Sequence, residues 1–323
     1  MRGARCSPVR LTTRPSDEEP YGRGFVVAGD VGGTKTAVGL YDVAAGELVS
    51  VARFPTPTEE APSVLVERFA ATAEALIAGA SRERSELRAT GLAVPGLVDR
   101  RGRVICAGKL RQWRDVALSE MVTERLGVNT SIEQDANAAA LAERWRGVAA
   151  AMSDFVFLAL GTGVGAGVVI DGKLLRGAHY AAGELGDLRE LGCAPGPAGV
   201  KLGDRISGKV IAAHANVLVS EALAPAEALA GAVRDPRLEE LADEVAELVS
   251  IAVFAIVTVV DPEAIVFGGG TAEAGDVLLR RVHSQLEGHV CAIPHLVVSA
   301  LGEDAQLYGA VYGGLSLLER APG

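Results

Sequence analysis

Cysteine is scarce in this chain of 323 residues, which holds four cysteines and no C-x-x-C pair. Scattered cysteines in a chain this long argue against a disulfide framework, and we expect a reducing, cytoplasmic environment. The five histidines form neither an H-x-x-x-H nor an H-E-x-x-H pattern, so the histidine pairs typical of catalytic zinc sites are missing. The cysteines are Cys6, Cys106, Cys193 and Cys291.

Basic charge and long apolar runs are also lacking. The formal net charge is −10 and the pI is about 5.1, which argues against a nucleic-acid partner because such binding needs a basic face. The most apolar run, residues 248–260, is shorter than the roughly 20 residues of a membrane span, so it predicts a buried helix and no membrane partner. Residues 1–24 lack the apolar segment of a secretory signal, and we expect a disordered tail there.

What the chain does contain is a glycine turn that follows a short apolar run. Residues 25–28 read FVVA and residues 30–36 read DVGGTKT. Because glycine has no Cβ, such a turn lets backbone N–H groups approach a phosphate, and Asp30 can help to hold a Mg²⁺ ion that bridges phosphates. The alternative is an ordinary hairpin turn, since apolar residues resume at position 37.

The apolar spacing along the chain predicts an α/β protein. Three antiparallel strands are expected over residues 26–54 and a short strand over residues 101–106. A second strand–glycine loop–strand unit, with strands at 155–160 and 166–170, indicates two related lobes around a cleft. We assign residues 25–137 and a closing helix at 306–323 to the N-terminal lobe, residues 138–305 to the C-terminal lobe, and residues 192–203 to a loop. The predicted helices span residues 63–80, 117–126, 135–146, 208–223, 238–260, 274–286 and 306–318.

Six short motifs follow one another in the order of a known family. They are DVGGTKT at 30–36, VPGLVD at 94–99, EQDANAAALAE at 133–143, LGTGVGAGVVIDG at 160–172, GELG at 183–186 and FGGGT at 267–271. In this order and spacing the chain resembles the ROK family (repressors, open reading frames and kinases) of the sugar kinase/Hsp70/actin superfamily. The resemblance implies two ribonuclease-H-like lobes of the actin-like ATPase fold with an active-site cleft between them. It also implies phosphoryl transfer from ATP, with Mg²⁺, to a sugar hydroxyl.

The resemblance assigns roles to individual residues. Asp135 matches the family's general base, and a carboxylate within hydrogen-bond reach of a primary alcohol can take its proton as the bond to phosphorus forms. The alternative is that Asp135 only caps a helix. Asp30 is the expected metal-binding residue, acting on Mg²⁺ through the phosphates. The expected nucleotide-binding residues are Asp30, Gly32, Gly33, Thr34, Lys35, Thr36, Gly161, Thr162, Gly163, Gly268, Gly269, Gly270 and Thr271.

The sugar-side motifs depart from the family pattern. The family has G-E-I-G-H followed by C-x-C-G-x-x-G-C-x-E, in which the His and three Cys bind a structural zinc, and the His and both Glu contact the sugar. Here Glu184 is kept, Asp187 stands for the His and Leu202 for the final Glu. Pro195 and Val200 replace two cysteines, so we predict no structural zinc site. Two family Asn residues are also replaced. The expected substrate-binding residues are Lys109, Gln134, Asp135, Glu184 and Asp187.

These changes affect the residues that read the sugar far from the transferred phosphate, while the phosphate motifs are kept. We therefore expect a small-molecule acceptor that is glucose-like but not glucose. A valiolone-type C7-cyclitol of antibiotic biosynthesis, phosphorylated at its exocyclic primary hydroxyl, fits the loss of the C1 and C2 readers. The alternatives are glucose and an amino sugar such as kanosamine, whose ammonium Asp187 could pair with. A non-catalytic ROK regulator is disfavoured by the few polar residues before the first strand, and a homodimer is expected by family analogy.

Overall fold

The computed structural model describes residues 21–108, 110–188 and 200–319. The strands are β1 (Phe25–Val31), β2 (Lys35–Asp42), β3 (Glu47–Pro55), β4 (Leu87–Val94), β5 (Leu97–Val98), β6 (Val104–Cys106), β7 (Arg114–Val116), β8 (Thr130–Gln134), β9 (Phe155–Leu160), β10 (Val164–Ile170), β11 (Lys173–Leu175), β12 (Ala264–Gly268) and β13 (His295–Val298). The helices are α1 (Pro62–Gly79), α2 (Leu118–Leu126), α3 (Asp135–Arg146), α4 (Leu202–Ile206), α5 (Gly208–Val219), α6 (Pro225–Gly231), α7 (Pro236–Val260), α8 (Asp276–Leu286) and α9 (Ala305–Glu319).

The first sheet has the strand order β3-β2-β1-β4-β8. β1, β2 and β3 are antiparallel neighbours, whereas β4 runs parallel to β1 and β8 runs parallel to β4. β1 is buried along nearly its whole length, which suits its run of Val and Ala. Because β1, β4 and β8 are parallel, their carboxyl ends meet at one edge of the sheet. In that edge Asp30 pairs with Ala93, which in turn pairs with Glu133.

The second sheet repeats this plan with the order β11-β10-β9-β12-β13. β9, β10 and β11 are antiparallel neighbours, and β12 lies parallel to both β9 and β13. The first and second sheets therefore have one topology, with β9 in the place of β1 and β12 in the place of β4. This repetition confirms the predicted internal repeat and the α/β fold with two related halves.

Helices cover both faces of each sheet. α1 and α2 pack on one face of the first sheet, where Phe69 and Val122 are fully buried. α9 packs on the other face through Leu307 and Val311. α5, α6, α7 and α8 cover one face of the second sheet, and the 25 residues of α7 supply most of that core. Residues 248–260 thus lie in a buried helix, as their apolar run predicts.

α3 lies between the two halves. Its Ala138 packs in the core beneath α9, whereas Ala139 and Ala140 pack against the second sheet. The contact with α9 is close, since a Cβ built at Gly309 would lie 1.9 Å from the Ala138 carbonyl oxygen. At the far end of α3 the buried Glu143 carboxylate accepts a hydrogen bond from the Ser299 hydroxyl at 2.5 Å. Burial raises the pKa of this carboxyl, and the bond from Ser299 works against that shift.

The described chain differs from the predicted elements chiefly in four places. α5 ends at Val219 rather than at 223, because Ser220 is left-handed with φ of 58° and the Asn216 side chain accepts from the backbone N–H of Leu223. The separate helix α6 follows, with Pro225 at its first position. The predicted loop 192–203 gives way to α4 at Leu202, and its residues 192–199 lie outside the described part. β6 lies within the short strand predicted over residues 101–106, whereas its sheet neighbours β5 and β7 were not predicted.

The predicted tail and membrane behaviour can be compared with the structure only in part. Residues 1–20 lie outside the described chain, and residues 21–24 contact the first sheet, where the Arg23 carbonyl accepts from Arg88 at 2.8 Å. Among the helices formed by the described residues, none combines the length and the apolar character that crossing a bilayer requires.

Candidate active site

A cleft of about 720 Å³ lies where the carboxyl ends of the two sheets face each other. Open α/β sheets bind ligands at the carboxyl ends of their strands, so the topology alone marks this place. The first sheet contributes Asp30 and the residues after β4 and β8, and the second contributes the turns after β9 and β12. The lining residues are Asp30, Gly32, Gly33, Thr34, Lys35, Pro95, Gly96, Gly108, Gln134, Asp135, Ala159, Gly161, Thr162, Gly163, Val164, Gly165, Glu184, Gly186, Asp187, Lys201, Gly203, Asp204, Ser207, Gly269, Gly270, Gly302, Glu303 and Gln306.

The turn between β1 and β2 forms one wall of the cleft. The Gly32 N–H donates to the Lys35 carbonyl at 3.0 Å, which closes the turn and leaves the residues between them at the cleft surface. Thr36 lies behind this wall, because its buried hydroxyl is 2.9 Å from that of Thr56. Thr36 therefore supports the turn from within β2, whereas the other predicted members of the turn line the cleft.

The carboxyl of Asp30 is held in an unfavourable setting. Burial, and secondly the negative charge of Asp135, raise its pKa from 3.8 to about 7, while Lys35 and Arg53 oppose the shift. A nearby cation would relieve this cost, since an oxygen ligand set with excess negative charge suits Mg²⁺. The chemistry of the pair Asp30 and Asp135 thus fits a phosphate-bound divalent cation.

Asp135 is the first residue of α3, but it is not the helix cap. The cap is Gln134, whose side-chain oxygen accepts from the Asn137 N–H at 2.8 Å. The Asp135 carboxylate accepts from the N–H of the next residue at 2.8 Å and lies at the cleft surface. Gln134 rather than Asp135 therefore caps the helix. The helix dipole still favours the acidic Asp135 side chain at this N-terminus.

Glu133, just before this pair, connects the two halves of the molecule. One of its carboxylate oxygens accepts from the Gln134 N–H at 3.1 Å and from the Asn137 side chain at 3.2 Å. The other accepts two bonds from the guanidinium of Arg176, which follows β11, at 3.1 and 2.5 Å. With only 12% of its side chain exposed, Glu133 makes a strong paired contact that holds the start of α3.

The glycine turns of the second sheet form the opposite wall. Gly269 has a φ of +85°, and a Cβ there would lie 2.6 Å from the Leu160 carbonyl oxygen, so only glycine fits. A Cβ at Gly161 or Gly270 would meet no atom within 4 Å, because both positions face open space. The carbonyl of Gly161 accepts from the N–H of Gly208 at 2.8 Å, which brings the N-terminus of α5 to the cleft.

Two predicted nucleotide-binding residues lie beneath this wall. Gly268 ends β12 and packs against the Phe157 ring, and Thr271 is only 1% exposed. The Thr271 hydroxyl is buried and has no hydrogen-bond partner within the described chain. Because the wall covers it, this hydroxyl is not exposed to the cleft in the described structure. Thr162 and Gly163 line the cleft directly.

Of the residues expected to bind the sugar, Gln134, Asp135, Glu184 and Asp187 line the cleft. Glu184 lines the cleft, and its carboxylate is 3.4 Å from the side-chain nitrogen of Gln134. Asp187 forms an ion pair with Lys201 at 2.5 Å. Leu202, at the family's final Glu position, is 1% exposed and packs in the core instead of facing the cleft. Lys109 lies outside the described residues, although its neighbour Gly108 lines the cleft.

Several lining residues were missed by the sequence analysis. Pro95 and Gly96 lie in the quoted motif at 94–99, and their position after a parallel strand could have marked them. Lys201, Ser207 and Glu303 gave no comparable signal, because they come from elements distant in sequence. The other missed residues include Gly108, Asp204 and Gln306.

Two ion pairs hold the turn at residues 303–304, just before α9, against the first sheet. The Lys35 ammonium donates to Glu303 at 3.0 Å, and Arg53 donates to Asp304 at 3.2 Å. All four side chains are about half exposed, so these contacts contribute little to folding. They do keep Lys35 at the end of the cleft formed by the β1–β2 turn, where its charge stabilises the ionised form of Asp30.

The zinc prediction is only partly covered by the structure. Within residues 21–108, 110–188 and 200–319, no three His, Cys, Asp or Glu side chains are grouped so as to hold a metal ion. Cys193 and Pro195 lie outside those ranges, so the lack of a structural zinc site stays a prediction.

Two duplicated α/β sheets around a carboxylate-lined cleft are the architecture of the actin-like ATPase fold. The ROK family model matches residues 26–313, and the chain belongs to the ROK family. A glucokinase of Halalkalibacterium halodurans is 27% identical over 310 residues, which cover 88% of this chain and 93% of that protein.

Solved structures show the same similarity. A ROK hexokinase from Thermus thermophilus is 31% identical, with a TM-score of 0.71 over 92% of this chain and 100% of that one. A ROK family glucokinase from Streptomyces griseus, solved with glucose and AMPPNP, is 26% identical, with a TM-score of 0.75 over 91% of this chain and 100% of that one. Together the family, these relatives and the cleft indicate an ATP-dependent carbohydrate kinase.

Proposed function

We propose that this protein transfers a phosphoryl group from ATP to the exocyclic primary hydroxyl of a glucose-like ring. The observation that carries the proposal is the position of Asp135 at the cleft surface, next to Asp30 and opposite the bare glycine turns. A phosphoryl transfer needs a base for the attacking hydroxyl, a charge-neutralised donor and an in-line arrangement of the two. The cleft offers residue types for each of these requirements.

Asp135 is the proposed general base. It would accept the proton of the acceptor hydroxyl as that oxygen attacks phosphorus, a role worth about 10²- to 10⁴-fold in rate. Glu133 and Gln134 hold the first turn of α3, so the Asp135 carboxylate is positioned by its neighbours and is not needed as the cap. The larger part of the rate enhancement would come from positioning and electrostatic stabilisation.

The donor is proposed to lie between the two glycine walls. The backbone of residues 32–35 and of the turns at Gly161 and Gly269 would hold its phosphates, and Lys35 would exchange Glu303 for a phosphate oxygen. When bound, Mg²⁺ would supply positive charge to the phosphates, and Asp30 is the residue proposed to bind it through them. The raised pKa of Asp30 supports this assignment, because a bound cation would stabilise the ionised carboxylate.

For the acceptor we propose a neutral glucose-like ring altered at C1 and C2, such as a valiolone-type C7-cyclitol of a natural-product pathway. In the family, a His and a second Glu read that part of glucose, whereas here Leu202 is buried in the core and the Asp187 carboxylate stands in place of the His. A site that lacks the partners of particular hydroxyls loses its preference for the ring that carries them.

Two alternatives remain in the test. Glucose is favoured by the similarity to relatives named glucokinase. An amino sugar such as kanosamine is disfavoured, because the Asp187 carboxylate that could pair with its ammonium already pairs with Lys201.

The test is a coupled ATP-consumption assay with Mg²⁺ across glucose, kanosamine and a valiolone-type cyclitol. We expect turnover of the cyclitol with a kcat/KM at least 10-fold above that of glucose. Preferred turnover of glucose would show that the changed residues do not retarget the enzyme, and preferred turnover of kanosamine would favour the amino-sugar alternative. Asp135→Asn should lower kcat by about 10²- to 10⁴-fold. Asp99→Asn, in a turn where Asp99 accepts from the Arg101 and Arg103 N–H groups, is the matched control and should leave kcat unchanged.

A further inference from the structure

The acceptor end of the cleft carries an ion pair whose geometry is set by the backbone. Asp187 ends the short 3₁₀ turn Leu185–Asp187, and Lys201 immediately precedes α4. The Leu202 N–H donates to the Leu188 carbonyl at 2.7 Å, so the two chain segments lie side by side independently of the ion pair. A Cβ at Gly203 would lie 3.2 Å from the Gly186 carbonyl oxygen, which shows how closely they pack.

The ion pair between Asp187 and Lys201 places a positive charge in a part of the cleft that is otherwise lined by carboxylates. Six carboxylates and two lysines belong to the described lining residues, and the second lysine, Lys35, lies at the phosphate end with Glu303. Lys201 is thus the one cation that the described lining provides near Glu184 and Asp204. Its charge offsets that of Asp187 where an acceptor would otherwise meet carboxylates alone.

We propose that Asp187 and Lys201 together determine acceptor specificity by reading uncharged ring hydroxyls, an inference that rests on the proposed sugar kinase activity. A lysine ammonium has three N–H donors and a carboxylate has two acceptor oxygens, so the bond between Lys201 and Asp187 uses only part of their capacity. A donor and an acceptor held side by side suit a hydroxyl, which can both accept and donate. Because the pair is neutral overall, it offers no net attraction to an ammonium group.

The exposure of the pair separates specificity from folding. The side chains of Lys201 and Asp187 are 43% and 64% exposed, and exposed ion pairs contribute little to stability. Removing the Lys201 charge should therefore leave the fold intact and act on the acceptor. It would also leave the Asp187 carboxylate without its counter-ion, which favours a cationic acceptor.

The experiment compares steady-state kinetics of wild type and Lys201→Met with glucose, a valiolone-type cyclitol and kanosamine. We expect the KM for the neutral acceptor to rise at least 5-fold, with kcat and the KM for ATP within 2-fold of wild type. The ratio of kcat/KM for kanosamine to that for the neutral acceptor should rise at least 10-fold. A double variant Asp187→Lys with Lys201→Asp, which keeps a neutral pair, should return the neutral-acceptor KM to within about 3-fold. Arg84→Met, which breaks the exposed pair with Glu74 outside the cleft, is the control and should change none of these constants.

An unchanged acceptor KM in Lys201→Met, or an unchanged selectivity ratio, would overturn the proposal. A parallel loss of kcat and of ATP affinity would also overturn it, because that pattern means a general disturbance of the cleft. If wild type phosphorylates none of the three acceptors, the proposed function fails by itself. In that event the same variants are compared by the thermal shift that each ring produces, and equal shifts in wild type and Lys201→Met would refute the specificity role.

Discussion

Replacing Asp30 by Asn should make the ligand-free protein more stable while disabling it. Burial and the charge of Asp135 raise the pKa of Asp30 from 3.8 to about 7. Between about pH 4 and pH 7 the folded protein then keeps a proton that the unfolded chain has lost. The free energy of unfolding therefore falls as the pH rises through this window, and the penalty is complete above pH 7. At 1.36 kcal/mol per tenfold change in the proton equilibrium, it amounts to at most about 4 kcal/mol.

The measurement is urea denaturation from pH 4 to pH 8 without nucleotide or Mg²⁺, paired with the ATP-consumption assay. We expect Asp30→Asn to match wild type near pH 4 and to exceed its unfolding free energy increasingly toward pH 8. Activity with Mg²⁺ should fall at least about 100-fold, because the carboxylate proposed to bind the cation is gone. Magnesium nucleotide should raise the midpoint of wild type and not that of the variant.

Glu263 is the control, because its pKa is lowered whereas that of Asp30 is raised. The N–H groups of Asp154 and Ser153 hold the pKa of Glu263 below its usual range, so its stabilising contribution is present at neutral pH and lost as the pH falls. Glu263→Gln should therefore lose stability mainly at neutral pH and keep full activity. The reasoning about Asp30 would be refuted if Asp30→Asn were less stable than wild type at pH 8, or if its advantage did not grow between pH 4 and pH 7.

Three further predictions concern the supports of the cleft. Gly269→Ala should lower the unfolding free energy by about 1–3 kcal/mol, because the left-handed φ and the nearby carbonyl exclude a Cβ. It should also raise the KM for ATP. Gly270→Ala is the control and should leave stability unchanged in the same urea denaturation experiment. Ser299→Ala should cost about 1–3 kcal/mol in urea unfolding, since it leaves a buried carboxylate of α3 with one donor fewer. Arg176→Lys should lower kcat at least about 5-fold with the KM for ATP unchanged, because lysine cannot make both bonds to Glu133. Equal KM and kcat effects would contradict this positioning role.

Most of the fold follows from local patterns in the sequence. The helix Asp135–Arg146 and the strand Phe155–Leu160 coincide with their predicted bounds, since apolar spacing and flanking glycines mark both. The strands Leu97–Val98 and Arg114–Val116 escaped prediction because two or three residues give no alternation. α6 was missed because Pro225 reads equally well as the start of a helix or as a loop residue.

The candidate site was predictable by segment more than by side chain. The glycine motifs mark which turns reach the cleft, yet a motif does not show that Thr36 and Thr271 lie beneath the surface that Thr34 and Gly270 form. The capping alternative was attached to Asp135 because Asp is a better N-cap than Gln, whereas in the structure Gln134 is the cap. The contribution of Lys201 depends on the meeting of two segments, which sequence spacing does not encode.

The shared strand order of the two sheets has an evolutionary consequence. Duplication and fusion of a half-length gene is one way to make two halves of the same strand order, and here the two halves differ in the residues at their strand ends. The first half bears Asp30 at the end of β1 and Asp135 after β8, whereas in the second half Gly161 follows β9 and Ser299 follows β13, the counterparts of those strands. Carboxylates repel phosphates, so the bare turn after β9, opposite Asp30, is the difference between the halves that suits the duplicated architecture to an anionic ligand.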